Sequence, residues 1–264
     1  APPVSAPATT AALARLHAGA EALWQAASPQ WPGLSVEVVP TIDSTNAELK
    51  RLASAGAPVG TVVTADAQTA GYGQRGREWV SAPGRGLYMS VLLPFPTTPF
   101  HLPFVLGLGC LDGLAPWTGE ARLKWVNDLV ARRRKLGGML VELTRAGAIA
   151  GIGINLGAQA VPDAISLSEL AGEAPTAEAL LAGLLRGIEG RHARWTAEGF
   201  DPIRADWMAA SVTLGQSVQV IGDSPTSGVA EGIGPSGELL VRRSDGVLET
   251  VISGTLRTAD GAYC

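Results

Sequence analysis

Arg134-Lys135-Leu136-Gly137-Gly138-Met139-Leu140-Val141-Glu142 is an apolar, strand-like run that opens on cations and glycines and ends on an acid. Shortly before it stands Lys124-Trp125-Val126-Asn127-Asp128-Leu129, with an Asn-Asp pair where the preceding strand-like segment stops. A lysine and an Asn-Asp pair at the mouths of neighbouring strands suit a phosphorylated ligand: the compact cation meets the phosphate oxygens and glycine lets backbone come close. From position alone, Lys135 reads first as a surface lysine closing the run Arg132 to Arg134, and Asn127-Asp128 as a chain reversal. The wider sequence reverses that weighting.

Upstream lies Gly71-Tyr72-Gly73-Gln74-Arg75-Gly76-Arg77-Glu78-Trp79, whose first six residues spell the dinucleotide fingerprint GxGxxG. That fingerprint works only between a strand and a helix whose N-terminus receives a pyrophosphate. Here the strand-like Thr61 to Ala65 stops well before Gly71, and Pro83-Gly84 breaks the chain too soon for a helix. The next strand-like run, Leu87 to Leu93, carries no acid for a ribose. The segment is therefore a glycine- and arginine-rich ligand loop, in which glycine lets Arg75 and Arg77 and their backbone approach an anion.

With 264 residues the chain suits one large domain and one small one. A net charge of -4 argues against a general nucleic-acid binder. Cys110 lies in an apolar, helix-like stretch and Cys264 is the last residue, so neither a disulfide framework nor a metal site is expected, in keeping with a reducing cytoplasm. No leader or membrane-length apolar run is seen, and no membrane partner is expected.

A Pro/Ala-rich start precedes a helix over 11–27 within an N-terminal extension, 1–33. The main domain is expected over 34–211. It opens with a strand at 34–38 and a capping box at Thr45-Asn46-Ala47-Glu48, which starts a helix ending at Gly56. Leu102 to Leu114 is a helix. Ala121 to Trp125, Leu136 to Leu143 and Ala148 to Ile154 are strands, the last two joined by a hairpin. Ala177 to Phe200 is the clearest helix, with another from Asp201, capped by that residue. From 212 to 264, four short strands punctuated by Gly-Asp, Pro-Ser-Gly and Ser-Asp-Gly must curl into a small barrel to bury their apolar side. Residues 157–175 read as a loop.

The chemistry these residues suit is attack of a carboxylate on the α-phosphorus of ATP, which calls for fixed cations and donors. Lys135 and Arg77 are the catalytic candidates. Asn127 and Asp128 could hold phosphates directly or through a magnesium ion near Asp128. Gly151-Ile152-Gly153-Ile154-Asn155 reads either as bare backbone near a nucleotide, with Asn155 on its polar edge, or as a glycine-relieved buried strand. Ser44, Thr45 and Asn46 offer small donors and acceptors for a neutral polar ring, Gln68 an amide, and Trp79 an apolar wall. Trp125 reads as core. The three histidines are scattered, and no hydrolase triad or Walker motif is present.

Five ordered segments resemble the biotin–protein ligase family. They are Ile42-Asp43-Ser44-Thr45-Asn46, the loop from Gln68 to Trp79, Lys124 to Leu129 (family form K-W-P-N-D-L), Arg134 to Glu142 and Gly151 to Asn155. The resemblance is strong from Thr41 to Leu156 and weaker beyond. It implies an α+β fold, with a mixed-sheet catalytic domain of the biotin/lipoate ligase type followed by an SH3-like barrel. It also implies ATP-dependent ligation of biotin, through biotinyl-adenylate, to a lysine of a carboxylase's biotin carrier domain, acetyl-CoA carboxylase above all. The resemblance places Ser44, Thr45, Asn46, Gln68, Gly71, Tyr72, Gly73, Gln74, Lys135 and Gly138 against biotin. Arg75, Arg77, Trp79, Asn127, Asp128 and Asn155 fall on the ATP side, with magnesium as the nucleotide's ion. Tyr72 and Gln74 stand where the family usually has arginines, and Val126 where it has proline. With so short a segment before the first strand, no DNA-binding module and no DNA partner are expected; a homodimer is compatible with the sequence. Lipoate or octanoate ligation and a non-enzymatic biotin sensor stay open as alternatives.

Overall fold

The computed structural model describes residues 35–222 and 225–258. The helix expected over 11–27 lies outside them, as does Cys264. Seven strands form a mixed sheet: β1 (Val36–Ile42), β2 (Val62–Gln68), β3 (Gly86–Leu93), β4 (Arg122–Lys124), β5 (Asp128–Ala131), β6 (Arg134–Thr144) and β7 (Gly147–Asn155). Their order is β1-β2-β3-β7-β6-β5-β4. The β1–β2 pair is parallel and every other pair antiparallel. The parallel pair needs a crossover, and helix α1 (Thr45–Ser54) supplies it.

The sheet is covered on both faces, which explains why β3 is buried at every position and reads as a continuous apolar run rather than an alternating one. Under α1, Leu49 and Ala53 pack on Val63, Leu92 and Ile149. The larger core lies on the other face beneath α2 (Leu102–Leu114) and, after α3 (Leu167–Ala171), α4 (Ala177–Glu198) and α5 (Phe200–Ala210). Helices α2 and α4 touch through glycine, since a Cβ added at Gly187 would lie 2.1 Å from the Gly109 carbonyl oxygen. Trp125 is core, 3% exposed. Burial pushes the Cys110 thiol up to about 12, so it is an inert core residue.

Several expectations need correction. Helix α1 starts at Thr45 with Ser44 as N-cap and has no side-chain cap, so the capping box at Thr45 does not form; the Thr45 hydroxyl is used elsewhere. A capping box does form at Ser166 and Glu169, opening α3 inside the stretch read as loop. The chain does reverse at Asn127, in the turn over 125–127 that joins antiparallel β4 and β5 and sets Lys124 opposite Asp128, but Asp128 itself begins strand β5. A second reversal follows at Arg132-Arg133, between β5 and β6, whose φ values of 48° and 60° are the left-handed geometry of a tight hairpin. The arginine run lies on the surface, with Arg132 paired to Glu120 and Arg134 to Glu169. Helix α5 begins at Phe200, one residue before the cap expected at Asp201.

The C-terminal unit is a small β domain of five strands, not four: β8 (Ser217–Ile221), β9 (Thr226–Ile233), β10 (Leu239–Arg242), β11 (Leu248–Val251) and β12 (Thr255–Thr258), in the order β11-β10-β9-β8-β12. Inward residues Val218, Val220, Ala230, Leu239 and Val241 are continuous with the main core. The second strand of this domain, β9, takes up after the two undescribed residues 223–224.

Candidate active site

The ligand loop is a small hairpin. Gly73 N–H donates to the Arg77 carbonyl at 2.8 Å and Trp79 N–H to the Gly71 carbonyl at 2.9 Å, with Tyr72 bridged to Glu78. Its tip, Gln74–Gly76, is one tight turn in which Arg75 and Gly76 take φ of 60° and 70°. Strand β2 runs further than expected, to Gln68, but no helix follows the loop, so the dinucleotide reading stays excluded.

Beneath this hairpin is a chamber of about 150 Å³. It is lined by Ser44, Thr45, Asn46, Gln68, Tyr72, Gly73, Gln74, Arg77, Trp79, Asn127, Asp128, Lys135 and Gly138, all anticipated, together with Met139, Ile152 and others. A second chamber of about 140 Å³ opens toward the C-terminal domain and is lined by Arg77, Lys124, Asp163, Thr255 and Arg257 among others. Arg77, Asn127 and Asp128 line both, so they form the wall where the chambers meet.

The inner end of the first chamber is a hydrogen-bonded polar floor. Thr45 N–H donates to Gln68 Oε1 at 2.8 Å, and Gln68 Nε2 donates to Ser81 Oγ at 2.8 Å. The Ser90 hydroxyl, fully buried on β3, lies 2.8 Å from Thr45 Oγ1 and donates to Asn46 Oδ1 at 2.5 Å. Asn46 Nδ2 in turn donates to Glu142 at 2.8 Å. These bonds fix which way both amides face, so the floor is an ordered set of donors and acceptors. The Cβ missing from Gly151 would lie 2.2 Å from Asn46 Oδ1, so glycine there is what admits the Asn46 amide to the sheet.

Glu142 collects three donors: Asn46, Lys50 Nζ at 2.6 Å and the Tyr72 hydroxyl at 2.9 Å. Burial pushes its carboxyl up, but bonds from Lys50, Asn46 and Tyr72 outweigh it and hold the group below its ordinary range. Burial, then the neighbouring Glu142 carboxylate, raises the Tyr72 phenol. Tyr72 thus ties the ligand loop to α1 and β6 as a neutral hydroxyl. At the shared wall, Lys135 Nζ sits 2.7 Å from Asp128 Oδ1 and 5.1 Å from the centroid of the Trp79 ring. That ring lies over β7, where a Cβ at Gly153 would come within 2.6 Å of it. Trp79 Nε1 is buried without a hydrogen-bond partner among the described residues.

The remaining anticipated residues do different work. Gly71 is packed against Trp79 and Ser81, where a Cβ would lie 2.6 Å from the Trp79 carbonyl oxygen. The Asn127 amide donates to the Met139 carbonyl at 2.7 Å, holding β6 to the segment before β5. Asn155 turns its amide away from both chambers, donating to the carbonyls of Lys135 and Ile165 at 3.1 and 3.0 Å. Arg75 points at the C-terminal domain, with its guanidinium 3.4 Å from the Ile221 carbonyl oxygen. Sequence reasoning missed Lys50, Ser81, Ser90, Asp163 and Thr255, and took Glu142 only as the end of a strand. Lys50 had a signal, since it follows Asn46 by one helical turn and so shares its face. Ser90 did too, as a polar residue inside an otherwise apolar buried strand.

The Biotin/lipoate A/B protein ligase family matches residues 38–159, which hold all but the first two residues of the seven-stranded sheet, and the Biotin protein ligase C terminal domain matches residues 213–255. The biotin--[acetyl-CoA-carboxylase] ligase of Mycobacterium tuberculosis is 34% identical over 218 residues, 77% of this chain and 82% of that protein. The bifunctional ligase/repressor BirA of Escherichia coli is 34% identical over 250 residues, 88% of this chain and 77% of that protein. The structure of the Aquifex aeolicus biotin protein ligase in complex with biotin and ATP superposes with a TM-score of 0.77 at 30% identity, covering 85% of this chain and 99% of that one. The chain belongs to the biotin protein ligase family.

Proposed function

We propose that the protein ligates biotin to a carrier protein in two steps at the junction of the two chambers. It is a ligase that uses ATP. A carboxylate oxygen of biotin attacks the α-phosphorus, pyrophosphate leaves, and biotinyl-5'-adenylate forms. The amine of a carrier lysine then attacks the acyl carbon, AMP leaves, and an amide results. The observation that carries this reading is the position of Lys135: its cation lines the first chamber and pairs with Asp128, one of the three residues that this chamber shares with the second.

Ser44, Thr45, Asn46 and Gln68 suit the ureido ring at the floor, whose N–H groups need acceptors and whose carbonyl needs donors. Met139 and Ile152 suit the thiophane ring and valeryl chain, which directs the carboxylate toward Lys135. Tyr72, Gly73 and Gln74 roof that ligand. Gly138 gives Lys135 its room, since a Cβ there would lie 3.3 Å from Lys135 Cε. ATP belongs in the outer chamber against Arg77, Asn127 and Asp128, with Trp79 beside it. Fixed cations at this wall oppose the negative charge that grows on the phosphate oxygens. Gly71, Arg75 and Asn155 enter this scheme as supports of the loop, of the C-terminal contact and of the Lys135 backbone.

No cluster of three or more His, Cys, Asp or Glu side chains among the described residues is placed to hold a metal. Magnesium borne by ATP needs only a carboxylate or two, with phosphates and water completing its shell. Asp128 fits that ion, whose charge would compete with Lys135 for the same oxygen. Residues 34–211 carry the adenylation chemistry and 212–264 the accessory β domain. The acceptor is the biotin carrier domain of a carboxylase, acetyl-CoA carboxylase first, met in the cytoplasm. The test is transfer of [14C]biotin to a purified carrier domain: label on the carrier only with ATP present supports the reading, and absence of transfer, or equal transfer of lipoate, overturns it.

A further inference from the structure

We infer that the C-terminal β domain is the clasp of the ligand loop, with Thr255 the positioning residue that holds it shut. This rests on the function proposed above and concerns the same site. The loop is anchored twice. At its start, the Tyr72 hydroxyl is bonded to Glu142 and Lys50 of the catalytic sheet and α1. At and beyond its tip, its arginines reach across to the other domain: Arg77 Nη2 donates to Thr255 Oγ1 on β12, and Arg75 Nη1 approaches the Ile221 carbonyl at the end of β8.

The receiving surface is shaped for these cations. Thr255 and Ile221 are register partners on β12 and β8, so one hydroxyl and one carbonyl are presented side by side. Gly222 follows Ile221, and a Cβ there would lie 3.0 and 3.2 Å from the two Arg75 guanidinium nitrogens. Gly254 precedes Thr255 and packs on Val220, where a Cβ would fall 2.4 Å from Val220 Cγ1. Bare backbone on both strands therefore lets the arginine tip reach the domain. Thr255 also lines the outer chamber with Arg77, so the clasp closes directly over the place where the phosphates belong. A loop held this way confines the adenylate by attachment to the second domain, with the uncharged Tyr72 and Gln74 supplying no cation there.

The experiment compares wild type with Thr255→Val, which keeps strand propensity and shape but removes the acceptor, and with Thr255→Ser, which restores it. Biotinyl-adenylate formed from biotin and ATP is chased with unlabelled biotin. Release from Thr255→Val should be about tenfold faster, the equivalent of about 1.4 kcal/mol for one hydrogen bond to a charged group, and Thr255→Ser should return toward wild type. Trypsin cleavage after Arg75 and Arg77 in ligand-free protein should accelerate in parallel, as it should in Gly222→Ala, while Tm is unchanged. This second readout needs no activity. Thr250→Val, exposed on β11, should behave as wild type in both assays. Wild-type release and cleavage by a folded Thr255→Val protein would overturn the clasp. Failure of wild type to form any adenylate would instead overturn the proposed function, with the cleavage comparison still deciding the clasp.

Discussion

Replacing Lys135 by alanine separates catalysis from stability more sharply than any other change at this site. The side chain does two things in the structure: it places a cation at the wall between the chambers and it neutralises Asp128 at 2.7 Å. The pair is partly open to solvent, with side chains 27% and 13% exposed, so screening limits its structural value to about 1 kcal/mol. The charge matters more when the phosphate oxygens become more negative, because a preorganised donor lost from such a site costs about 3–4 kcal/mol. At 1.36 kcal/mol for each factor of ten, that is a fall of roughly 10²–10³ in the first step. Lys135→Ala should therefore fold normally, with Tm lower by a few degrees, and form adenylate several hundred times more slowly. Single-turnover conversion of labelled biotin with enzyme in excess reads the step directly, and thermal unfolding controls for structure. Arg133→Ala, in the hairpin beside it, should leave the rate alone. Equal single-turnover rates for Lys135→Ala and wild type would refute the argument and return Lys135 to the role of an ordinary surface lysine.

Gly153→Ala would thrust a methyl into the Trp79 ring, 2.6 Å from its carbons, so apparent ATP affinity should drop about tenfold while the strand stays paired. Equilibrium binding of a non-hydrolysable ATP analogue checks this, and unchanged affinity would detach Trp79 from the nucleotide. Glu142 titrates lower in the folded chain than its ordinary 4.5, so its contribution is complete above about pH 4.5 and is lost as pH falls through the lowered native value. Urea midpoints of wild type should fall more steeply over that acid range than those of Glu142→Gln; parallel curves would show that the Lys50–Tyr72–Glu142 cluster is not a net stabiliser. Gln74 lines the chamber without charge, so Gln74→Arg should slow release of preformed biotinyl-adenylate. No change would mean that other contacts already hold the loop closed.

Much of the site was legible because its residues break the local pattern. Lys135 with Gly137 and Gly138, Asn127-Asp128, and the arginines among glycines at 71–77 stand out together although each has a bland local reading, and apart from Gly71, Arg75, Gly76 and Gly137 these residues line the chambers. What escaped was the work of residues with an adequate local role. Thr45-Asn46-Ala47-Glu48 has the form of a capping box, yet Gln68 and Ser90 compete for the Thr45 hydroxyl across the fold, and no local rule reports such a partner. Asn155 reads as a ligand residue because a polar side chain after Gly-x-Gly-x is conspicuous, while its task is to satisfy the carbonyls of Lys135 and Ile165. Strand β5 was missed because only four residues separate the turn ending at Asn127 from a second turn at Arg132-Arg133, whose arginines take the positive φ that sequence assigns to glycine or asparagine. The fifth C-terminal strand, Thr255–Thr258, follows Ser-Gly and is only four residues long, so pairing with β8 rather than propensity makes it a strand.

The central claim is that biotin's carboxylate is activated as a mixed anhydride at the wall between the two chambers. Exchange of labelled pyrophosphate into ATP tests it most directly, because it requires substrate, reaction and reversibility together and needs no acceptor. Exchange that depends on biotin, is not supported by lipoate and is suppressed in Lys135→Ala is the expected result. Exchange without biotin, equal exchange with lipoate, or none at all in the folded wild-type protein would contradict it.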